Sequence, residues 1–139
     1  MRERTFEADA VKRQEVAASL EELVRSREEI LFAYLFGSFV DQQGFHDIDV
    51  GVYVTEALWP EDPLAYEMGL SSQLERDVRY PIDVKLLNRA PIGFCYEVTR
   101  GDVLFSRDEP ARLAFVEGTW ARYLDYQPVA LHILKDLTA

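Results

Sequence analysis

Cysteine is nearly absent: Cys95 is the only one in 139 residues, so no disulfide can form within the chain, which agrees with a reducing compartment. Histidine is almost as scarce. His46 and His132 lie far apart without metal-ligand spacing, which argues against zinc. His46 reads as a strand-entry residue, and Cys95 has no nearby histidine to activate it as a nucleophile. No apolar stretch approaches the roughly 20 residues needed to span a bilayer. The opening Met1-Arg2-Glu3-Arg4-Thr5-Phe6-Glu7 lacks a hydrophobic signal region, so the expectation is a cytoplasmic protein with no membrane partner. Positive charge is also short, 15 Lys and Arg against 25 Asp and Glu, for a net charge of −10. Binding a long nucleic acid normally rests on several Lys or Arg contacts to phosphates, so that partner class is disfavoured. A protein acceptor or a small molecule fits better, and a nucleotide remains acceptable where a divalent cation offsets the negative charge.

What is present is ample apolar material, 48% hydrophobic with 12% aromatic residues. That is enough for one core in a single domain spanning 1–139, with no repeats, low-complexity segments or linkers. From Phe6 to about Arg27 the apolar positions fall mostly at helical spacing, which predicts an amphipathic helix. Ile30-Leu31-Phe32-Ala33-Tyr34-Leu35-Phe36 is an uninterrupted apolar run ended by glycine, the pattern of a buried strand. The segment 46–54 predicts a second strand, and Thr55 to Pro63, with two prolines, predicts a loop. Asp62-Pro63 suits the start of a helix from about Leu64 to Arg79. Residues 81–87 form a third predicted strand, and Pro91 opens a short helix that Gly101 ends. Asp102–Ser106 is a short strand. A C-terminal helical segment covers about 109–139, with one helix from Glu109 to Tyr126 that Pro128 interrupts before a last apolar piece, Leu131 to Leu137. Its aromatic residues Phe115, Trp120, Tyr123 and Tyr126 divide between core packing and an exposed, interface-like set.

The chemistry lies in Leu35-Phe36-Gly37-Ser38 and, after eight residues, Asp47-Ile48-Asp49. In an extended strand, residues two apart share a face, so Asp47 and Asp49 project together while Ile48 and Val50 point away. Adjacent carboxylates repel unless a cation lies between them. A hard ion such as Mg²⁺ is typically held by one or two carboxylates plus substrate phosphates. Gly37 permits a sharp turn and close approach of a phosphate, and Ser38 adds a hydroxyl and an N–H at a short helix start. On the third strand, Asp83 and Lys85 share one face and Ile82, Val84 and Leu86 the other, so Asp83 could lie beside the pair. Ser71 and Ser72 read as small residues on a helix surface.

Gly37, Ser38, Asp47, Asp49 and Asp83 together resemble the minimal nucleotidyltransferases (MNT) of the DNA polymerase β-like superfamily. The resemblance runs from about Ile30 to Leu87 and more loosely over the rest. It implies an α/β (α+β) fold, a small mixed β-sheet flanked by helices, like the polymerase β palm. It further implies that Asp47 and Asp49 bind two Mg²⁺ ions, that Gly37 and Ser38 hold the triphosphate of ATP, and that Asp83 aligns or activates the attacking hydroxyl at the metal. Many small relatives are antitoxins paired with a HEPN-domain toxin. The resemblance therefore implies transfer of AMP from ATP to a tyrosine of such a partner, silencing its RNase activity. One departure matters. Many family members carry a basic residue directly after Gly-Ser, whereas this chain has Phe39-Val40-Asp41-Gln42-Gln43-Gly44. Lys85, Arg76, Arg79 and Arg89 are the candidates to supply the charge, Lys85 favoured by its parity with Asp83. Two alternatives stay open: a degenerate scaffold that neutralises its partner by binding alone, and a nucleotidyltransferase acting on a small molecule. The oligomeric state, homo- or hetero-oligomer, is likewise open.

Overall fold

A computed structural model describes the backbone of residues 4–138 and the side chains of residues 4–125. The chain opens with a two-residue strand, β1 (Phe6–Glu7), rather than with helix. Phe6 pairs with Phe45 of β3 (Gly44–Phe45) and meets the Tyr80 ring edge-on at 5.4 Å, so tertiary aromatic packing overrides the helical spacing of this segment. Helix α1 (Ala10–Arg25) begins only after Asp9, whose carboxylate accepts the Lys12 N–H at 2.8 Å and so satisfies one of the amides a helix start leaves unpaired.

The main sheet has four strands in the order β5-β4-β2-β6. They are β2 (Ile30–Phe36), β4 (Ile48–Val54), β5 (Ile82–Leu86) and β6 (Asp102–Ser106). β2 lies antiparallel to both β4 and β6, and β4 runs parallel to β5, which makes the sheet mixed as expected. A parallel pair needs a long crossover, and α3 (Pro63–Val78) supplies it between β4 and β5. Asp62 caps α3 through the Ala65 N–H at 3.1 Å, with Pro63 at the first helical position. A 3-10 turn, Glu56–Leu58, precedes it in the predicted loop.

β5 is an edge strand, and its outward N–H groups need partners. Glu75, Ser71 and Glu67 of α3 accept the N–H groups of Ile82, Val84 and Leu86 at 3.0, 3.0 and 2.8 Å. Four helix residues advance about 6 Å and two strand residues about 6.6 Å, so the ladder stays in step over three rungs. Ser71 thus serves the sheet edge.

Strand alternation splits the core in two. Ile48, Val50, Val52 and Val54 join Leu20, Val24, Leu70 and Leu74 of α1 and α3 on one face. Phe32, Tyr34, Leu87 and Val98 pack on the other, under α4 (Ile92–Thr99) and α5 (Glu109–Thr138). The prolines and glycines that were expected to delimit α4 and β6 do so. α5 departs from expectation, because its backbone continues as one helix through Pro128 to Thr138. A proline inside a helix removes one hydrogen bond and crowds the preceding turn; here that cost does not end a helix whose two flanking segments are both helical. Phe115 packs with Phe32 in the second core, while Trp120 is 36% exposed and Tyr123 stacks on Tyr96 at 3.8 Å. The side chains of Tyr126 and His132 lie outside the described residues.

Candidate active site

Register, more than sequence proximity, builds the site. Asp49 is paired with Phe36 of β2 on one side and Asp83 of β5 on the other, so these three form one row across the sheet, all on the α4 face. Ile48 enters the sheet by donating its N–H to the Pro81 carbonyl at 2.9 Å, and Asp47 immediately precedes it. One carboxylate oxygen from each of Asp47, Asp49 and Asp83 lies within 4.8 Å of the others.

The next row is Tyr34, Gly51 and Lys85. There α4 presses against the strand: a Cβ on Gly51 would stand 2.9 Å from Leu87 Cδ2 and 3.1 Å from Val98 Cγ1. The helices therefore cover the face from Gly51 onward and leave the carboxylate row at its open end. Burial, followed by the neighbouring Asp47 and Asp83 charges, pushes the Asp49 carboxyl up to about 7. Lys85 opposes this shift, and its Nζ lies 3.7 Å from Asp83 Oδ1. Three acidic oxygens converging in this way form a hard-oxygen donor set suited to Mg²⁺, and the group fits.

Gly37 is required here twice over. Its φ of 78° lies in the left-handed region, open to glycine at no steric cost, and a Cβ there would be driven into the Asp49 carboxylate. The turn leads into α2 (Ser38–Asp41), with Val40 and Asp41 both donating N–H to the Gly37 carbonyl at 3.0 Å. Ser38 thus heads a short helix next to the carboxylates.

Two arginines that sequence reasoning did not single out complete the surroundings. Arg13 of α1 donates from Nε to the Ala8 carbonyl at 3.0 Å, from Nη2 to the Gln42 carbonyl at 3.0 Å, and also to the carbonyls of Phe39 and Gln43. Its guanidinium lies over the Phe39 and Phe45 rings. One side chain thereby clamps the whole connection between the Gly-Ser turn and the aspartates. Arg100, at the end of α4, shares a cavity of about 240 Å³ with Phe36, Gly37, Asp41, Glu97 and Gly101. Its only sequence signal was an Arg-Gly pair ahead of a strand. Of the four basic candidates, Lys85 reaches the site. Arg89 is engaged past the other end of β5, with Glu56 at 3.3 Å and over the Trp59 ring at 3.9 Å. Arg76 and Arg79 are exposed at the end of α3, which packs on the opposite face. His46 makes a 2.9 Å contact from Nδ1 to the Arg4 carbonyl, in keeping with its strand-entry role.

A mixed sheet that presents a glycine-serine turn, a neighbouring carboxylate pair and a third carboxylate from the adjacent parallel strand is the architecture of a nucleotidyltransferase. A family model described as polymerase beta, nucleotidyltransferase, matches residues 18–110, and the chain belongs to that family. The same fold is seen in the structure of tri-AMPylated Shewanella oneidensis HEPN toxin in complex with MNT antitoxin, at 22% identity and a TM-score of 0.69 over 91% of this chain and 99% of that one. It recurs in the toxin–antitoxin MntA–HepT, at 22% identity and a TM-score of 0.68 with the same coverage. A toxin–antitoxin structure with AMP-PNP matches at 24% identity and a TM-score of 0.69 over 88% and 98% of the two chains. No curated protein matches the sequence. No helix among the described residues is long and apolar enough to cross a membrane.

Proposed function

We propose that this nucleotidyltransferase is an antitoxin that transfers AMP from ATP to a tyrosine hydroxyl of a HEPN-type toxin. The observation that carries the reading is the convergence of Asp47, Asp49 and Asp83 within 4.8 Å beside the Gly37-Ser38 turn. It is supported by the similarity to MNT antitoxins found with AMPylated HEPN toxin and with an ATP analogue.

In this reading Asp47, Asp49 and Asp83 hold Mg²⁺, two ions as the family resemblance implies. When bound, the metal supplies charge neutralisation for the triphosphate and acidifies the attacking hydroxyl. Gly37 lets the polyphosphate approach the backbone, and the Ser38 hydroxyl and N–H donate to its oxygens. Asp83 orients the acceptor hydroxyl for in-line attack on the α-phosphorus. The new bond joins the tyrosine oxygen to that phosphorus, the bond to the β-phosphate breaks, and pyrophosphate leaves while the hydroxyl proton passes to solvent. Holding the reactants in register is the larger part of what the protein contributes.

The test is co-purification with the HEPN-encoding neighbour, followed by the intact mass of that neighbour before and after ATP and Mg²⁺. Mass increments of one or more AMP groups are expected, lost in Asp47→Ala or Asp49→Ala. Neutralisation that survives the Asp47→Ala, Asp49→Ala double variant would establish the docking-only alternative instead.

A further inference from the structure

The turn lacks a basic residue in sequence, and the sheet provides one from elsewhere. β2 and β6 pair antiparallel with Leu35 opposite Asp102. Gly101 and Arg100, which precede Asp102 at the end of α4, therefore come toward Phe36 and Gly37, which follow Leu35, and all four line one cavity. The close approach is real at Gly101, where an added Cβ would strike the Leu35 carbonyl oxygen and lie 3.0 Å from Phe36 Cβ. Gly101 is thus the residue that lets the end of α4 close onto the end of β2. The cavity formed there, about 240 Å³, has room for several waters. It admits a phosphate group with its hydration.

From this juxtaposition we infer that Arg100 is the cation that binds the distal phosphates of the nucleoside triphosphate, replacing the basic residue absent after Ser38. The inference rests on the nucleotidyl-transfer reading above and names a residue for it. Lys85 lies one row on from the carboxylates, on the strand that carries Asp83, whereas Arg100 lies toward the β6 side. Lys85 is already paired with Asp83. Arg100 is held loosely: its ion pair with Glu97 is 3.8 Å long, with both side chains at least 60% exposed, and the Tyr96 ring is 6.0 Å away. Such an exposed pair is worth little, so the guanidinium exchanges one anion for a better one, a phosphate that it can bind through two N–H donors. Asp41 and Glu97 in the same cavity oppose an anion. The Arg100 charge is therefore needed there, and Glu97 competes for it.

Equilibrium titration of the full-length protein with ATP and with AMP, both in Mg²⁺, tests this. Arg100→Ala is expected to weaken ATP binding by about tenfold while leaving AMP binding unchanged, with Arg100→Lys intermediate. Glu97→Gln removes the competitor and is expected to tighten ATP binding about two- to threefold. Unchanged ATP binding in Arg100→Ala would overturn the inference, as would equal losses for ATP and AMP or weaker ATP binding in Glu97→Gln. Wild-type protein that bound no ATP at all would instead overturn the nucleotidyl-transfer reading, and this assignment with it. Arg100 is an exposed helix-end residue, so the variants keep the fold.

Discussion

Replacing Asp49 by Asn should stabilise the metal-free protein, although it removes a central group of the site. The Asp49 carboxyl is raised from 3.8 to about 7, first by burial and then by the charges of Asp47 and Asp83. The folded state therefore keeps a proton that the unfolded chain has released, and the metal-free fold loses stability as pH rises from about 4 to about 7. At about 1.36 kcal/mol per pH unit, a rise from 3.8 to about 7 gives an upper limit near 4 kcal/mol. Asp49 keeps partial solvent access, and screening reduces the expected effect to about 1–2 kcal/mol. Asn fills the same space without the charge. Urea denaturation in chelator, followed by circular dichroism, should show Asp49→Asn more stable than wild type by that amount at pH 8, with the gap closing near pH 4. Added Mg²⁺ should raise wild-type stability by mass action and leave the variant unmoved. A variant equal to or less stable than wild type at pH 8, or a gap independent of pH, would refute the electrostatic account.

Arg13→Ala removes the clamp on four carbonyls and should cost about 2 kcal/mol, with faster amide exchange over 39–43 and weaker ATP binding although Arg13 touches no substrate. Gly37→Ala forces a side chain into left-handed backbone and into the Asp49 carboxylate; a loss of at least about 1–2 kcal/mol, together with weakened Mg²⁺ binding by calorimetry, is expected. Arg79 ends α3 at φ 65° and ψ 28°, a conformation glycine adopts without strain, so Arg79→Gly should raise stability by about 1 kcal/mol in the same urea assay.

Much of this molecule is legible locally. The alternation of Ile82, Asp83, Val84, Lys85 and Leu86 already separates a core face from a site face, and Asp62-Pro63 marks a helix start, because pleat and capping are set by neighbours in the chain. Where local preference met tertiary packing, packing prevailed. Phe6 left its helical spacing to join Phe45 and Tyr80.

The sequence by itself determined which residues face together on each strand, and hence that Gly37, Ser38, Asp47 and Asp49 form a unit with Asp83 able to join it. Only the tertiary structure decided that Asp83 does stand opposite Asp49 in the sheet, that Arg13 clamps the loop from a helix 26 residues upstream of Phe39, and that Arg100 lies beside Gly37. The physical reason is range. Strand parity repeats every two residues along the chain, whereas register between strands is fixed by which side chains the two cores bury, and that choice involves residues distant in sequence.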